Sequence, residues 1–234
     1  MALTIHEACQ QGDLEMVRSL LSADPASVDA DDQYQWRPVF HAALRRHTEV
    51  VRLLIEAGAD LAAHDGYVLH YAGQVPGNQA IMELLIRYGA LEAHVGPKND
   101  LSRQLLAALF LSDRERVRSL LVLHPELAAT VDGRGDYPIH HAARSGDAAI
   151  LQLLVDSGAD VNAVGANGNT VLYCAGGHGH LEAVQLLLGW GADVDVPFTE
   201  DGKDLLAWLA QYPDDSRYKG VTEALIWHRQ RHVE

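Results

Sequence analysis

Histidine is the residue type in this chain with the clearest capacity for chemistry. The sequence holds 13 histidines among 234 residues, and the densest group comprises His140, His141, His178 and His180. Imidazole is a common zinc ligand, and a zinc site needs about four ligands converging at ~2 Å. If these side chains met around one ion, they would support hydrolysis of a bound substrate. A metal-dependent hydrolase is therefore kept as an alternative function.

Acidic residues crowd the stretch from Asp193 to Asp204, which superficially resembles a calcium-binding loop. Its spacing does not match the helix-loop-helix calcium pattern, so a solvated acidic rim is the expected structure. The sequence also lacks G-x-S-x-G, G-x-x-x-x-G-K-[ST], H-E-x-x-H and C-x-x-C. The absence of these motifs argues against catalysis, and we expect no metal and no cofactor.

Charge and composition limit the partners of the chain. The net charge of −14 argues against a nucleic-acid backbone, which requires a basic footprint. Residues 145–202 carry eight acids and no lysine or arginine, so this half either steers a basic partner or only keeps the protein soluble. No apolar run approaches the ~18 residues of a membrane span and no signal segment is seen. We expect a cytoplasmic monomer that contacts no membrane.

The elements that carry these residues repeat along the chain, and the stretch from Asp136 to Asn162 shows the unit best. Pro138 fits the first turn of a helix, and the small Ala142 and Ala143 allow another helix to approach closely. Gly146 ends that helix, and apolar residues from Ile150 onward form the buried stripe of a second one. Two such short helices cannot bury their apolar faces alone, so the unit must stack on copies of itself.

The same pattern returns at intervals of 30 to 36 residues when the units are aligned on the position of His140. That position holds, in chain order, His6, Phe40, His70, Leu106, His140, Tyr173 and Leu206. With the Pro138-Ile139-His140 segment, the alanine pair and Gly158-Ala159-Asp160, the unit resembles an ankyrin repeat. The resemblance implies an all-α solenoid of helix-turn-helix repeats at residues 1–32, 33–64, 65–98, 99–132, 133–165 and 166–199. A degenerate seventh repeat, residues 200–234, would cap this single domain.

A longer period lies above the repeat. The sequence Val17 to Leu21 recurs at Val117 to Leu121, an offset of 100 residues, and Pro25, Pro38 and Gly58 have counterparts at the same offset. Repeats 3 and 6 match at an offset of 103 residues. We infer a duplicated block of three repeats, with chance similarity as the competing explanation.

The threonine that usually caps the first helix of such a repeat is present only as Thr170. The other repeats carry Leu3, Arg37, Tyr67, Arg103, Tyr137 and Lys203 there. Each lost cap would cost ~1 kcal/mol. We therefore expect stability to come mainly from the stacked interfaces between repeats.

The resemblance to ankyrin repeats implies a non-catalytic scaffold that binds a protein or peptide, basic partners included, on its concave face. A regulatory subunit of a partner enzyme is a further alternative. Carrying over the turn and first-helix positions assigns nine partner-binding residues: Tyr34, Trp36, Arg45, Gln74, Phe110, Leu111, Tyr137, Arg144 and His178. Aromatic and arginine side chains dominate binding hot spots. His140 instead falls on the structural histidine of the family, whose imidazole bonds to neighbouring backbone, and His180 falls on the usual Gly-His turn position.

The first helix of repeat 4 is apolar on all sides, from Leu105 to Leu111. Such a helix is either buried all round or presents an apolar face to something else. The register places Phe110 and Leu111 where repeats 1 and 5 have polar residues, among them Arg144, which implies exposure. We predict an apolar floor at Phe110 and Leu111, with Arg45, Gln74 and Arg144 at its rim. The alternative is that residues 91–102 cover it.

Overall fold

The computed structural model describes residues 3–91, 100–198 and 202–231, and within them it contains helices and turns but no strand. One isolated antiparallel bridge joins Val164 and Thr170. The all-α architecture expected from the sequence is therefore confirmed. The chain divides into two compact units, residues 1–98 (unit 1) and residues 99–234 (unit 2). The single continuous domain and the repeat boundaries stay predictions.

Unit 1 is built from three helix pairs. In chain order they are α1 (Ile5–Gln11) with α2 (Leu14–Ala23), α3 (Pro38–Leu44) with α4 (Thr48–Glu56), and α5 (Ala63–Ala72) with α6 (Gln79–Arg87). The first helices pack side by side, with α3 between α1 and α5, and the second helices form a parallel row behind them. A 3-10 turn at Pro25–Asp29 follows α2.

Unit 2 continues with four pairs. They are α7 (Asp100–Phe110) with α8 (Arg114–Leu123), α9 (Pro138–Ser145) with α10 (Ala148–Asp156), α11 (Val171–Gly176) with α12 (Leu181–Gly189), and α13 (Leu205–Leu209) with α14 (Ser216–Arg231). Here α9 packs between α7 and α11. Two 3-10 turns lie at Pro125–Ala129 and Ala166–Gly168.

Local sequence explains where the helices begin and end. Pro38 and Pro138 occupy the first turns of α3 and α9, and Gly146 ends α9 with φ 69°, a left-handed conformation that glycine adopts without strain. Thr170 caps α11 by accepting a bond from the Tyr173 backbone N–H at 3.1 Å, as predicted.

Two of the caps predicted to be lost are present one residue later. Thr4, not Leu3, precedes α1, and its hydroxyl accepts a bond from the Glu7 backbone N–H at 3.2 Å. Asp204, not Lys203, precedes α13 and accepts from the Ala207 backbone N–H at 2.8 Å. The repeat spacing alone misplaced these helix starts by one residue.

The core of each unit lies between the helix pairs. Ala142 and Ala143 are buried, with exposures of 1% and 0%, so the predicted close approach of neighbouring first helices is confirmed. On the second helices, Leu54 and Leu154 are fully buried at equivalent positions. Burying such side chains contributes about 1.5–3 kcal/mol each, which stabilises helices too short to persist alone.

The longer period is visible in the structure. Helix α2 and the 3-10 turn after it begin at Leu14 and Pro25, and their unit 2 counterparts begin at Arg114 and Pro125, an offset of 100 residues. At the offset of 100 residues, equivalent sequence positions therefore lie on equivalent elements, which allows these elements of the two units to be compared residue by residue.

Across residues 3–91, 100–198 and 202–231, no helix has both the length and the apolar composition needed to cross a membrane.

Candidate functional site

The histidines of unit 2 are engaged by backbone groups. The His140 Nδ1 accepts a bond from the Tyr137 backbone N–H at 3.2 Å, and its Nε2 donates to the Asn169 carbonyl at 3.2 Å. The His180 Nε2 donates to the Arg144 carbonyl at 2.9 Å, which ties α9 to the turn before α12. These bonds give His140 and His180 the structural roles that the resemblance implied.

His178 is also bonded to backbone, and the histidines that the structure describes do not form a metal site. The His178 Nδ1 donates to the Cys174 carbonyl at 2.8 Å, and its ring lies parallel to that of His180 with centroids 6.2 Å apart. In the part of the chain that the structure describes, no three His, Cys, Asp or Glu side chains are grouped to hold one metal ion. The hydrolase alternative therefore has no support from this geometry.

The two cysteines do not supply a nucleophile. Cys9 and Cys174 are both free and buried, and burial raises the pKa of each thiol to about 12. Nucleophilic attack requires the thiolate, which is scarce at neutral pH for thiols of this kind. Both residues are packing residues of the first helices.

An aspartate-histidine pair organises the turn before α3 in unit 1 and the turn before α9 in unit 2. The His41 Nε2 lies 2.9 Å from an Asp32 carboxylate oxygen, and the His141 Nε2 lies 2.9 Å from Asp132 in the same way. The other oxygen of each aspartate accepts two backbone N–H bonds within its turn. Sequence analysis missed this pair, although both members recur at the offset of 100 residues. Because each aspartate bonds both the helix histidine and the backbone of the turn, the role of the pair is structural.

Arg144 is not exposed, contrary to the expectation from its polar register position. Its guanidinium bonds to the Asp136 carboxylate at 2.7 Å, and the two side chains are only 11% and 3% exposed. The other Asp136 oxygen accepts from the Ala166 backbone N–H at 2.9 Å. Burial alone would raise the pKa of Asp136, but the bond and charge of Arg144 hold that pKa below its usual value. The pair therefore holds neighbouring repeats of unit 2 together.

Three partly or fully buried histidines make the stability of the fold depend on pH. Burial lowers the pKa of His41, His140 and His178 in the folded state. An unfolded histidine titrates near ~6.5, so their stabilising effect is complete above that pH and is lost as pH falls toward the folded values. We expect a lower urea midpoint at mildly acidic pH than at neutral pH. The variant His178→Leu should reduce the difference between the two midpoints. A wild-type urea midpoint that is the same at both pH values would contradict the prediction.

Aromatic side chains form a continuous surface in unit 1. Trp36 packs on Phe40 with ring centroids 4.5 Å apart, and Phe40 meets Tyr71 edge to face at 5.4 Å. Tyr34 extends the row beyond Trp36 at 6.1 Å, and Tyr67 extends it beyond Tyr71 at 5.9 Å. We call these five residues the aromatic face.

The aromatic face is open to solvent around a buried centre. Phe40 is 5% exposed, whereas Tyr34 is 67%, Trp36 39%, Tyr67 42% and Tyr71 40% exposed. Single exposed aromatic residues are ordinary, but a contiguous apolar patch marks an interaction surface. In unit 2, Tyr173 stacks on Phe198 at 3.8 Å, whereas Trp227 is exposed on α14.

Comparison with unit 2 shows that the fold does not need these rings. The equivalent positions at offsets of 100 and 103 residues are Arg134, Asp136, His140, Thr170 and Cys174. Helix pairs of the same kind are therefore built in unit 2 without aromatic side chains at these five positions. Phe40 is a buried core residue, whereas the four exposed rings are not required by repeat packing.

Carboxylates border the aromatic face on one side. The Arg37 guanidinium lies 3.1 Å from Asp29, 3.5 Å from Asp31 and 3.4 Å from Asp60. The His64 Nε2 bonds to Asp31 at 2.9 Å, and this bond is the main reason that the pKa of Asp31 lies below its usual value. We call these five residues the acidic border.

The other predicted binding residues lie apart from the aromatic face or at its edge. Arg45 is exposed directly after α3, and the amide of Gln74 lies 3.1 Å from the His70 Nε2 after α5. Phe110 and Leu111 are half-buried, and the Phe110 ring lies 5.1 Å from that of His141. Tyr137 and His178 are also half-buried. Whether any of the nine residues contacts a partner stays a prediction.

The predicted acidic rim is only partly described. Glu200 and Asp201, and residues 92–99 of the predicted cover of α7, lie outside the described residues. Asp195 and Asp204 are not simply solvated, because both bond to Arg229 of α14, at 2.6 Å and 2.9 Å. These two acids therefore anchor the last helix.

Comparison with known proteins agrees with the helix pairs and the structural histidines. A family model described as ankyrin repeats in three copies matches residues 5–98 and again residues 105–197. The chain is 33% identical over 190 residues to the ankyrin repeat protein nuc-2 of Neurospora crassa, covering 78% of this chain and 17% of that protein. It is 30% identical over 188 residues to the ankyrin repeat domain-containing protein SAT10 of Stachybotrys chartarum, covering 80% and 9%.

A mammalian relative has similar coverage. The B-cell lymphoma 3 protein homolog of Mus musculus is 28% identical over 197 residues, which span 81% of this chain and 44% of that protein. The chain thus spans less than half the length of each of these relatives. Since the family model covers most of both units and the bonds of His140 and His180 have the expected structural roles, the chain belongs to the ankyrin-repeat family.

Proposed function

We propose that this chain is a non-catalytic scaffold that binds a peptide or protein surface through the aromatic face of unit 1. The face is formed by the turn before α3, by the buried Phe40 of α3 and by the exposed Tyr67 and Tyr71 of α5. Tyr34, Trp36, Tyr67 and Tyr71 would contact the partner, and the buried Phe40 would support them. Tyrosine and tryptophan offer large contact areas with little side-chain entropy to lose.

The observation that carries this proposal is the contrast between the two units. Four exposed rings occupy unit 1 positions whose unit 2 equivalents are Arg134, Asp136, Thr170 and Cys174. Exposed apolar area has no benefit for folding and favours association, so a sequence that retains it has a use for it. The ankyrin relatives support a role in protein–protein interaction in general.

The remaining predicted residues fit this proposal as accessory contacts. Arg45 and Gln74 follow α3 and α5, the helices that carry the aromatic face, and we propose them as its polar edge. Phe110, Leu111, Tyr137 and His178 would form a separate contact area in unit 2. Arg144 would act there only by positioning the turn that contains Asp136. If the bound partner is an enzyme, this chain would act as its regulatory subunit.

The test is selection of displayed random peptides on the wild-type protein. Selected peptides should bind the double variant Tyr34→Ser/Tyr71→Ser at least about tenfold more weakly, because two exposed contact residues are removed. Trp227→Ser is the matched control, since Trp227 is 57% exposed on α14 of unit 2 and should not affect binding. Equal binding to wild type and double variant would place the contact surface elsewhere and overturn the proposal.

A further inference from the structure

We infer that the partner of the aromatic face is a basic segment, which places a lysine or arginine side chain where the aromatic face meets the acidic border. This inference rests on the proposed function and adds the chemistry of the bound side chain. It follows from an excess of carboxylate, from the exposed rings beside it, and from the absence of this combination at the equivalent positions of unit 2.

The acidic border holds more negative than positive charge. Three carboxylates, Asp29, Asp31 and Asp60, surround the single guanidinium of Arg37, with side-chain exposures of 31%, 43% and 55%. Even with His64 counted as charged, one carboxylate remains in excess. Arg45 does not offset it, because it lies at the far end of α3, about 10 Å along the helix axis from Arg37. A cation brought by a partner would restore the balance.

The carboxylates and the rings meet along one edge. A narrow cleft is lined by Trp36 and Tyr67 from the aromatic face and by Arg37, Asp60 and His64 from the acidic border. The face of an aromatic ring attracts a cation, by about 0.5–1 kcal/mol at an exposed site. A side chain with an apolar stem and a charged end would lay its stem on Trp36 or Tyr67 and point its charge at Asp60 or Asp31.

The combination of the two features is missing from the equivalent positions of unit 2. The positions equivalent to Asp29, Asp31 and Arg37 hold Ala129, Val131 and Tyr137, and only Asp60 has an acidic counterpart, Asp160. The ionic cluster is therefore no more a requirement of the fold than the exposed rings are. Both occur in the one unit where they lie side by side, which indicates a shared use.

Other partner chemistries fit this edge less well. An acidic segment would be repelled by the uncompensated carboxylates, and a purely apolar segment would cover them without a counter-charge, which costs desolvation energy. A lysine or arginine within an otherwise apolar segment satisfies both the rings and the carboxylates. This pattern also gives specificity, because segments that lack the cation are disfavoured.

The experiment uses the peptides selected on the wild-type full chain. Lysine and arginine should be enriched in them relative to the unselected library. The double variant Asp31→Asn/Asp60→Asn should bind a selected basic peptide about five- to thirtyfold more weakly. The side-chain amides keep the size of the carboxyl groups and the backbone bond that Asp60 accepts from Ala62. The control Glu15→Gln/Glu56→Gln changes the net charge equally on α2 and α4 and should bind within about twofold of wild type.

A second measurement leaves the protein unchanged. Replacing the arginine of a selected peptide by citrulline, a neutral side chain of nearly the same shape, should produce a similar loss of affinity for wild type. If the peptides show no enrichment in lysine or arginine, or if citrulline binds equally well, the inference is overturned. In that case the proposed function still holds provided that Tyr34→Ser/Tyr71→Ser weakens binding. If that variant binds normally, or if no peptide is selected, both fail.

Discussion

Replacing Asp136 by alanine is expected to lower the free energy of unfolding by about 3–5 kcal/mol, the range for breaking one side of a buried ion pair. The reason is the position of Arg144, whose side chain is only 11% exposed and bonds to Asp136 at 2.7 Å. Alanine would remove the carboxylate that forms this ion pair with the buried guanidinium and would also remove the bond to the Ala166 backbone N–H. Urea denaturation monitored by circular dichroism measures the loss.

A second substitution separates the ion pair from the rest of the site. The double variant Asp136→Ala/Arg144→Leu should recover part of the lost stability, because no unpaired charge remains. Unit 1 provides the precedent, since Trp36 and Leu44 occupy the equivalent positions there without an ion pair. A loss of unfolding free energy below ~1 kcal/mol for Asp136→Ala would contradict this prediction. It would mean that Arg144 reaches solvent, as its position in the repeat predicts.

Trp36→Ser is expected to weaken binding of a selected peptide by roughly 30- to 1,000-fold, the size of a tryptophan hot spot of about 2–4 kcal/mol. Trp36 lies between Tyr34 and Phe40 in the aromatic face, and it also lines the cleft beside Asp60. Its removal takes away both contact area and the ring face that a cation would cover. Calorimetric titration of the peptide into the wild-type and variant proteins measures the difference.

Trp36 also packs on Phe40, so part of any loss could come from the fold. A urea denaturation curve of the variant separates the two effects, because a folded variant with weak binding assigns the loss to the contact. Trp227→Ser removes another exposed tryptophan, one whose ring lies 4.3 Å from the Arg231 guanidinium carbon. Equal losses of affinity for both variants would show that the aromatic face has no special part in binding.

The prediction of helix pairs succeeded because its signals are local. Pro38, Pro138 and Gly146 act through their own backbone conformations, and each specifies a helix end wherever it occurs in the chain. The alanine pairs and the leucine stripes then require a neighbouring helix, which fixes the stacked arrangement. The caps of α1 and α13 were placed one residue too early, because they are Thr4 and Asp204. A hydroxyl or carboxylate caps a helix only when it can reach the backbone N–H groups of the first turn, and repeat spacing does not predict that geometry.

Exposure could be predicted from the sequence only in part, because it is not a local property. Tyr34 and Trp36, which the sequence analysis assigned to partner binding, are exposed. Tyr67 and Tyr71 were not selected, although their contacts join them to the same surface. The signal available was the offset of 103 residues, at which Thr170 and Cys174 replace them. Arg144 was expected at the surface because its register position is polar in repeat 1. Its environment depends on Asp136 in the preceding turn.

The sequence by itself determined the ankyrin fold, the offset of 100 residues between equivalent positions, and the structural roles of His140 and His180. Each of these depends on residue types at fixed spacings along the chain, and those spacings are the same before and after folding. Only the tertiary structure decided that Arg144 is buried in an ion pair, that five aromatic residues form one face, and that three carboxylates gather around Arg37. Those features depend on side chains from separate turns and helices that meet only in the folded chain, and a periodic sequence assigns them the same register whether they meet or not.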